Sequence, residues 1–220
     1  MVDKKYIDKE MEILEKYYKY HTRTTLNSMR KDKTINPYKI LISCLLSLRT
    51  RDENTEKVVK KLFKEAKTPR QIASMPRKKL EKLIYSSGYY KNKAKTIKHV
   101  SKVLLEKYKG KVPDNKEKLL EIKGIGPKTA NVVLSFAFNK LVIPVDVNVH
   151  RIANRLGWVK TKTAEKTESA LEKILPKRYW RELNALFVLH GKTICQPISP
   201  KCSICPIRKC CPKIGVKKSR

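Results

Sequence analysis

The densest chemistry in this chain lies at its end. Five of the six cysteines fall within residues 195–220, and four of them are spaced Cys195-x6-Cys202-x2-Cys205-x5-Cys211, with Cys210 beside the last. Structural zinc usually takes two close Cys pairs that lie far apart in sequence. Here there is one C-x2-C, and all four thiols fall within 17 residues. A loop that short can wrap four thiolates around a cubane, which is the ligand set of a [4Fe–4S] cluster. Zinc and free reduced thiols are the alternatives. Adjacent side chains diverge, so one of Cys210 and Cys211 is expected to ligate, and we take Cys211. The same 26 residues hold four prolines and lose the apolar period of the rest of the chain, so they need a staple in place of a core. Cys44 stands apart, beside an apolar stripe, and reads as a core residue.

A second concentration of chemistry is Leu119-Leu120-Glu121-Ile122-Lys123-Gly124-Ile125-Gly126-Pro127-Lys128-Thr129-Ala130-Asn131. A helix ends, Gly124 and Gly126 bracket a tight turn, and Pro127 opens a second helix at its first position. Free N–H groups at such a start bind anions, and glycines let a ligand approach the backbone closely. An ordinary helical hairpin with a glycine turn is the plainer reading. Eighteen residues after Lys128 comes Asp146, in Val145-Asp146-Val147-Asn148-Val149-His150-Arg151. Placed between Pro144 and a helical stripe, Asp146 is expected to cap a helix while keeping an ionised carboxylate.

The elements that hold these residues are helical. Tyr38/Leu41/Ile42/Leu45/Leu46 follow the i, i+3, i+4, i+7, i+8 rule. Stripes recur at Tyr6/Ile13/Leu14/Tyr17, Val58/Val59/Leu62/Phe63, Leu80/Leu83/Ile84, Ala94/Ile97/Val100/Leu104, Val149/Ile152/Ala153/Leu156 and Trp180/Leu183/Leu186/Phe187. Gly88, Gly110 and Gly157 are expected to stop helices, and Pro37, Pro69, Pro113 and Pro127 to start them. Only Leu141–Val145 reads as extended. The pattern predicts an all-α protein of about ten helices. Forty Lys and 12 Arg against 20 acidic residues give a net charge of +32, a field that attracts polyanions, nucleic acid first among them. No apolar run is long enough to span a bilayer, and the N-terminus lacks a secretory h-region. The expectation is an intracellular protein, cytoplasmic or nucleoid-associated, without a membrane partner.

Taken together, the hairpin, Lys128, Asp146 and the four-cysteine spacing resemble the endonuclease III family of DNA glycosylases. The resemblance runs from about Pro37 to Cys211. Leu45-Leu46-Ser47 and Asp52 are similar to the family's early helix. Gly88-Tyr89-Tyr90-Lys91-Asn92-Lys93-Ala94 is similar to its G-[hydrophobic]-Y-x-x-K-A loop, and Leu189-His190-Gly191-Lys192 to the segment before the cluster. The resemblance implies two packed helical domains with a DNA groove between them: a six-helix unit over residues 31–134 ending in the helix-hairpin-helix, and a discontinuous iron–sulfur unit of residues 1–30 and 135–220. It implies a base-excision-repair enzyme, acting as a monomer on double-stranded DNA with damaged or mismatched bases. Such an enzyme flips out a damaged pyrimidine, removes it and nicks the abasic site by β-elimination. Lys128 would be the nucleophile at C1′ and Asp146 the stabiliser of positive charge there. Lys123, Gly124 and Gly126 of the hairpin, Lys201 beside the cluster, Arg49, and Tyr89 at the position of the family's duplex wedge would contact DNA.

Two departures bear on the substrate. Arg49 stands where the oxidised-pyrimidine branch commonly has Gln, and Asp146-Val147-Asn148 replaces its usual Asp-Thr-His. Asp-x-Asn-Val looks more like the mismatch and adenine branches, which usually lack the lysine found here at 128. The alternatives are therefore a mismatch-specific uracil/thymine glycosylase and, from another class, a non-catalytic DNA-binding iron–sulfur protein.

Overall fold

The computed structural model describes residues 4–19, 36–50 and 52–220. Among the described residues there are eleven α-helices, two 3₁₀ turns and no strand. The helices are α1 (Lys4–Tyr18), α2 (Pro37–Ser47), α3 (Asp52–Glu65), α4 (Pro69–Ser74), α5 (Arg77–Leu83), α6 (Tyr90–Tyr108), α7 (Lys116–Leu120), α8 (Pro127–Ala137), α9 (Val147–Arg155), α10 (Ala164–Ile174) and α11 (Leu183–Thr193). The chain divides into two units, Thr24–Lys140 on one side and Met1–Arg23 with Leu141–Arg220 on the other.

In the first of these, α2 is apolar nearly all round and is buried from Ile40 to Leu46. A helix without a polar face must be surrounded, and α2 packs on α3, α6 and α8. Asn36 starts it by accepting hydrogen bonds from the Tyr38 and Lys39 amides at 2.9 and 3.2 Å, with Pro37 in the first turn. Thr68 and Gln71 form a capping box on α4, which packs on α6 with Pro69 at its start. Pro113 does not open a helix. Instead Asn115, two residues later, caps α7 through the Lys118 amide at 3.0 Å.

In the second unit, α1 lays Ile7, Met11, Leu14 and Tyr18 into a core shared with Val149, Ile152, Leu171 and Phe187. Each such side chain contributes about 1.5–3 kcal/mol by its burial. Of the Tyr6/Ile13/Leu14/Tyr17 stripe expected from sequence, Leu14 is in this core and Ile13 packs against it, whereas Tyr6 is 58% exposed and Tyr17 41%. The Trp158 indole donates to Glu10 at 2.6 Å and ties α1 to the turn after α9. That turn ends α9 through Gly157, whose φ of +71° only glycine adopts freely. Leu141–Val145 carries no regular secondary structure. No helix among the described residues is long and apolar enough to cross a membrane.

Candidate functional site

The hairpin is built by anchoring its apolar positions and leaving the rest in solvent. Ile122 and Ile125 are buried, and the Ile125 amide donates to the Ile122 carbonyl at 3.0 Å. Lys123, Gly124 and Gly126 are exposed between and beside them. Gly124 is required on two counts. Its φ is +103°, and a Cβ there would lie 2.6 Å from Thr96 Cγ2 on α6. Gly126 has open space around it, so a ligand can reach the backbone where α8 begins. No side chain caps that end and no acidic residue occupies its first turn, which leaves the helix N-terminus open to an anion. Lys128 sits half-buried in this first turn. Its charge acts on the Cys44 thiol of α2, which bonds Thr129 and which burial pushes up in pKa. Cys44 is fully buried, as the stripe beside it predicts.

Arg49 and Tyr89, 40 positions apart, come together in the same unit. The Arg49 guanidinium carbon lies 5.5 Å from the centre of the Tyr89 ring, within cation–π range. Tyr89 is 62% exposed, and Arg49 is exposed as well. Gly88 is not a helix stop: α5 has already ended at Leu83, and Gly88 lies where any Cβ would meet the Arg49 carbonyl at 2.7 Å.

Asp146 caps α9. Its Oδ1 accepts from the Asn148 and Val149 amides, both at 2.9 Å, and its Oδ2 accepts from the Asn148 side-chain amide at 3.0 Å. The chain of bonds continues. Asn148 Oδ1 accepts from Arg151 Nη2 at 2.8 Å, and Arg151 donates through Nη2 and Nε to the Cys195 carbonyl at 2.9 and 3.2 Å. Gly191 of α11 makes room, since a Cβ there would strike both Asn148 Oδ1 and Arg151 Nη2. One turn on, Arg155 Nη1 donates to Cys195 Sγ at 3.3 Å. The aspartate and the cysteine loop are thus joined by hydrogen bonds through one face of α9.

Cys195, Cys202, Cys205 and Cys211 line a cavity of about 30 Å³ whose walls include Ile152, Leu156, Ile194 and Ile207. Cys210 does not line it. Burial pushes the Cys205 thiol up to about 11 and raises Cys211 too, with the other cysteines adding to both. The Lys213 amide donates to Cys211 Sγ at 3.4 Å, as Arg155 does to Cys195, and His190 Nε2 lies 3.7 Å from Cys205 Sγ, the ring tautomer setting which of the two donates. Burial holds the His190 pKa down to about 4, and its Nδ1 meets the Tyr18 hydroxyl at 3.0 Å. Among the described residues, no three His, Cys, Asp or Glu side chains converge as a single metal ion would require. Lys201, half-buried, also borders the cavity.

The HhH-GPD superfamily of base excision DNA repair proteins matches residues 42–177 of this chain. Endonuclease III of Thermotoga maritima is 49% identical over 182 residues, which cover 83% of this chain and 85% of that protein. The chain belongs to the endonuclease III family. It is an endonuclease III-type base-excision-repair enzyme, a DNA glycosylase/AP lyase. A solved trapped endonuclease III–DNA covalent intermediate matches with a TM-score of 0.85 at 33% identity, covering 97% of each chain. A thermostable thymine-DNA glycosylase matches with a TM-score of 0.81 at 28% identity over 96% of each.

Against this family pattern, sequence reasoning missed the residues that connect the motifs. In the sequence Asn148 stands out only as a departure from the family pattern, and nothing gives Arg151 or Arg155 a role. Their i, i+4 spacing on a helix with Val149 and Ile152 buried was the available signal, but it does not say which partners the arginines reach. His190 and Gly191 fall in the segment similar to the family's, and the resemblance gives neither a role.

Proposed function

We propose that this chain flips damaged pyrimidines out of duplex DNA, releases them, and nicks the resulting abasic site, with Lys128 as nucleophile and Asp146 as its electrostatic partner. The observation that carries the reading is Lys128 in the first turn of α8, directly behind the open backbone at Gly126. The unprotonated amine attacks C1′, and the base leaves with the electrons of the glycosidic bond. The attached amine then gives up a proton and the C1′–O4′ bond breaks, O4′ taking a proton, which leaves an iminium at C1′. This iminium loses a C2′ proton, and the bond from C3′ to its phosphate oxygen breaks with the phosphate carrying off the electron pair. The Asp146 carboxylate stabilises positive charge developing at C1′ and assists proton transfer. Lys123, Gly124 and Gly126 hold phosphate, a contact that positions the duplex without reading it. Tyr89 acts as the wedge, with Arg49 alongside.

A second reading, removal of uracil or thymine opposite guanine, draws on the Val147-Asn148 flank and on the likeness to a thymine-DNA glycosylase. Duplexes carrying one defined lesion each, scored separately for base release and for nicking, decide between them. Oxidised pyrimidines released with a coupled nick support the first reading. Release from G·U or G·T duplexes without a nick supports the second.

We infer that Cys195, Cys202, Cys205 and Cys211 hold a [4Fe–4S] cluster. The four thiols, the apolar walls and the N–H groups facing sulfur fit that group, and a cationic metal core would offset the raised thiol pKa values. When bound, the cluster supplies cross-linking to a segment that lacks a core of its own. Anaerobically purified protein is expected to be brown, with iron and sulfide in equal amounts. Colourless protein with stoichiometric zinc would refute the assignment. Cys202→Ala should reduce folding or DNA affinity before it alters the chemistry, since Lys201, Arg208 and Lys209 lie on the same loop.

The charge of +32 makes a further prediction. With about 5 phosphates engaged, log K should fall against log[salt] with a slope of roughly −4 to −5, much the same for undamaged duplex. An affinity insensitive to salt would mean that some other force holds the DNA. The reading has the enzyme acting as a monomer wherever the cell keeps its DNA.

A further inference from the structure

Lys93 is a buried lysine to which the chemistry above gives no task. It lies in the first turn of α6, is 8% exposed, and spends its ammonium on three neutral oxygens. Nζ donates to the Leu46 carbonyl at 2.6 Å, to Thr50 Oγ1 at 2.6 Å and to Ser87 Oγ at 2.8 Å. The acceptors bond one another too: Ser87 Oγ donates to the Leu46 carbonyl at 3.4 Å and lies 3.3 Å from Thr50 Oγ1. Burying an ammonium among neutral dipoles is expensive, and an apolar side chain of similar length would fill the volume at lower cost. Burial holds the Lys93 pKa down to about 8, which expresses that cost. Stability alone is therefore a poor reason for this residue.

Its geometry supplies a better one. The three oxygens belong to the end of α2 and to two turns, one carrying Arg49 and the other leading into Tyr89. Both residues have left-handed backbones, with φ of 52° and 58°. Conformations of that kind in residues with side chains persist only where the surroundings over-determine them. The turns also touch directly, since a Cβ on Gly88 would lie 2.7 Å from the Arg49 carbonyl. We propose that Lys93 is a positioning residue that clamps these two turns into one rigid tip, so that Arg49 and Tyr89 meet the duplex as a preformed pair. This rests on the reading of Tyr89 as a wedge.

The test uses the full-length protein and a duplex with a tetrahydrofuran abasic analogue opposite 2-aminopurine, whose fluorescence rises when it is unstacked. Wild-type, Lys93→Met, Tyr89→Ala and the double variant are compared by that signal and by single-turnover base release, with melting curves recorded for each. Lys93→Met is expected to melt no lower than wild type, yet to lose the fluorescence rise and slow base release about 10- to 100-fold, as misplacement of a positioning element does. The double variant should be no slower than Tyr89→Ala, because removing the ring on which Arg49 rests already breaks the pair that the clamp presents. If Lys93→Met keeps the full signal, or if the two losses multiply, the proposal is overturned. A full signal from Tyr89→Ala overturns the wedge reading itself and the clamp with it, and is recognisable as that. If Lys93→Met melts early, Thr50→Val carries the test by removing one of the three bonds. A partial loss of signal is then expected, and an unchanged signal refutes the clamp.

Discussion

Lys128→Ala is expected to abolish both the borohydride-trapped protein–DNA adduct and the nick, while duplex affinity stays within a few-fold of wild type. Removing a nucleophile that works as a unit with its partners costs roughly 10⁶ in kcat in comparable cases, so the covalent route should vanish instead of slowing. Binding is spared because the anion site proposed at the hairpin is made of backbone. Gly124 takes its positive φ, Gly126 stays open to solvent, and neither feature depends on the lysine amine. The fold is spared as well, since Lys128 is only half-buried and the core beneath it, Cys44 and Thr129, is unchanged by truncation to Ala. The measurement is a gel-shifted adduct on lesion and on abasic duplex, beside a binding isotherm for each protein. Strong wild-type base release with no trappable adduct would reject the nucleophile and favour the monofunctional mismatch reading.

The residues proposed to touch DNA or metal are legible from the sequence because their spacing is local. Four cysteines within 17 residues, a Gly-x-Gly-Pro turn and an aspartate ahead of a stripe can each be read in one window. Helices were legible for the same reason. What stayed hidden were contacts between windows. Lys93 is one of 40 lysines, and its partners at Leu46 and Thr50 lie 47 and 43 positions away. Nothing in a single segment marks it as buried. Gly88 looked like a helix stop because glycine serves both purposes, and only the approach of the Arg49 carbonyl separates them. The ends of the α1 stripe differ because tyrosines are amphipathic: Ile13 and Leu14 pack as expected, but Ile7 and Tyr18 fill the places expected for Tyr6 and Tyr17.

Asp146→Asn is expected to slow base release by on the order of 10²–10³, the usual cost of losing one well-placed electrostatic stabiliser. The substitution is less innocent than its shape suggests. Oδ1 must go on accepting from the Asn148 and Val149 amides to cap α9, so the new amide group at 146 would face the Asn148 side-chain amide, donor against donor. Turning Asn148 over relieves that contact but aims its NH₂ at Arg151, which now donates to Asn148 Oδ1. A loss of about 1–3 kcal/mol in stability should therefore accompany the loss of rate, and the two must be separated. The exchanged pair, Asp146→Asn with Asn148→Asp, does so. A carboxylate at 148 accepts from both the new amide at 146 and Arg151, restoring every bond in the chain to Cys195 and with it the melting temperature. The negative charge has then passed from the side chain at 146, proposed to stabilise the sugar, to its neighbour at 148. Base release in the exchanged protein should stay as slow as in Asp146→Asn alone, although the fold has recovered. If instead the exchange restores base release along with stability, then Asp146 acts through the cap and the link to the cysteine loop, and its charge is not what the reaction uses.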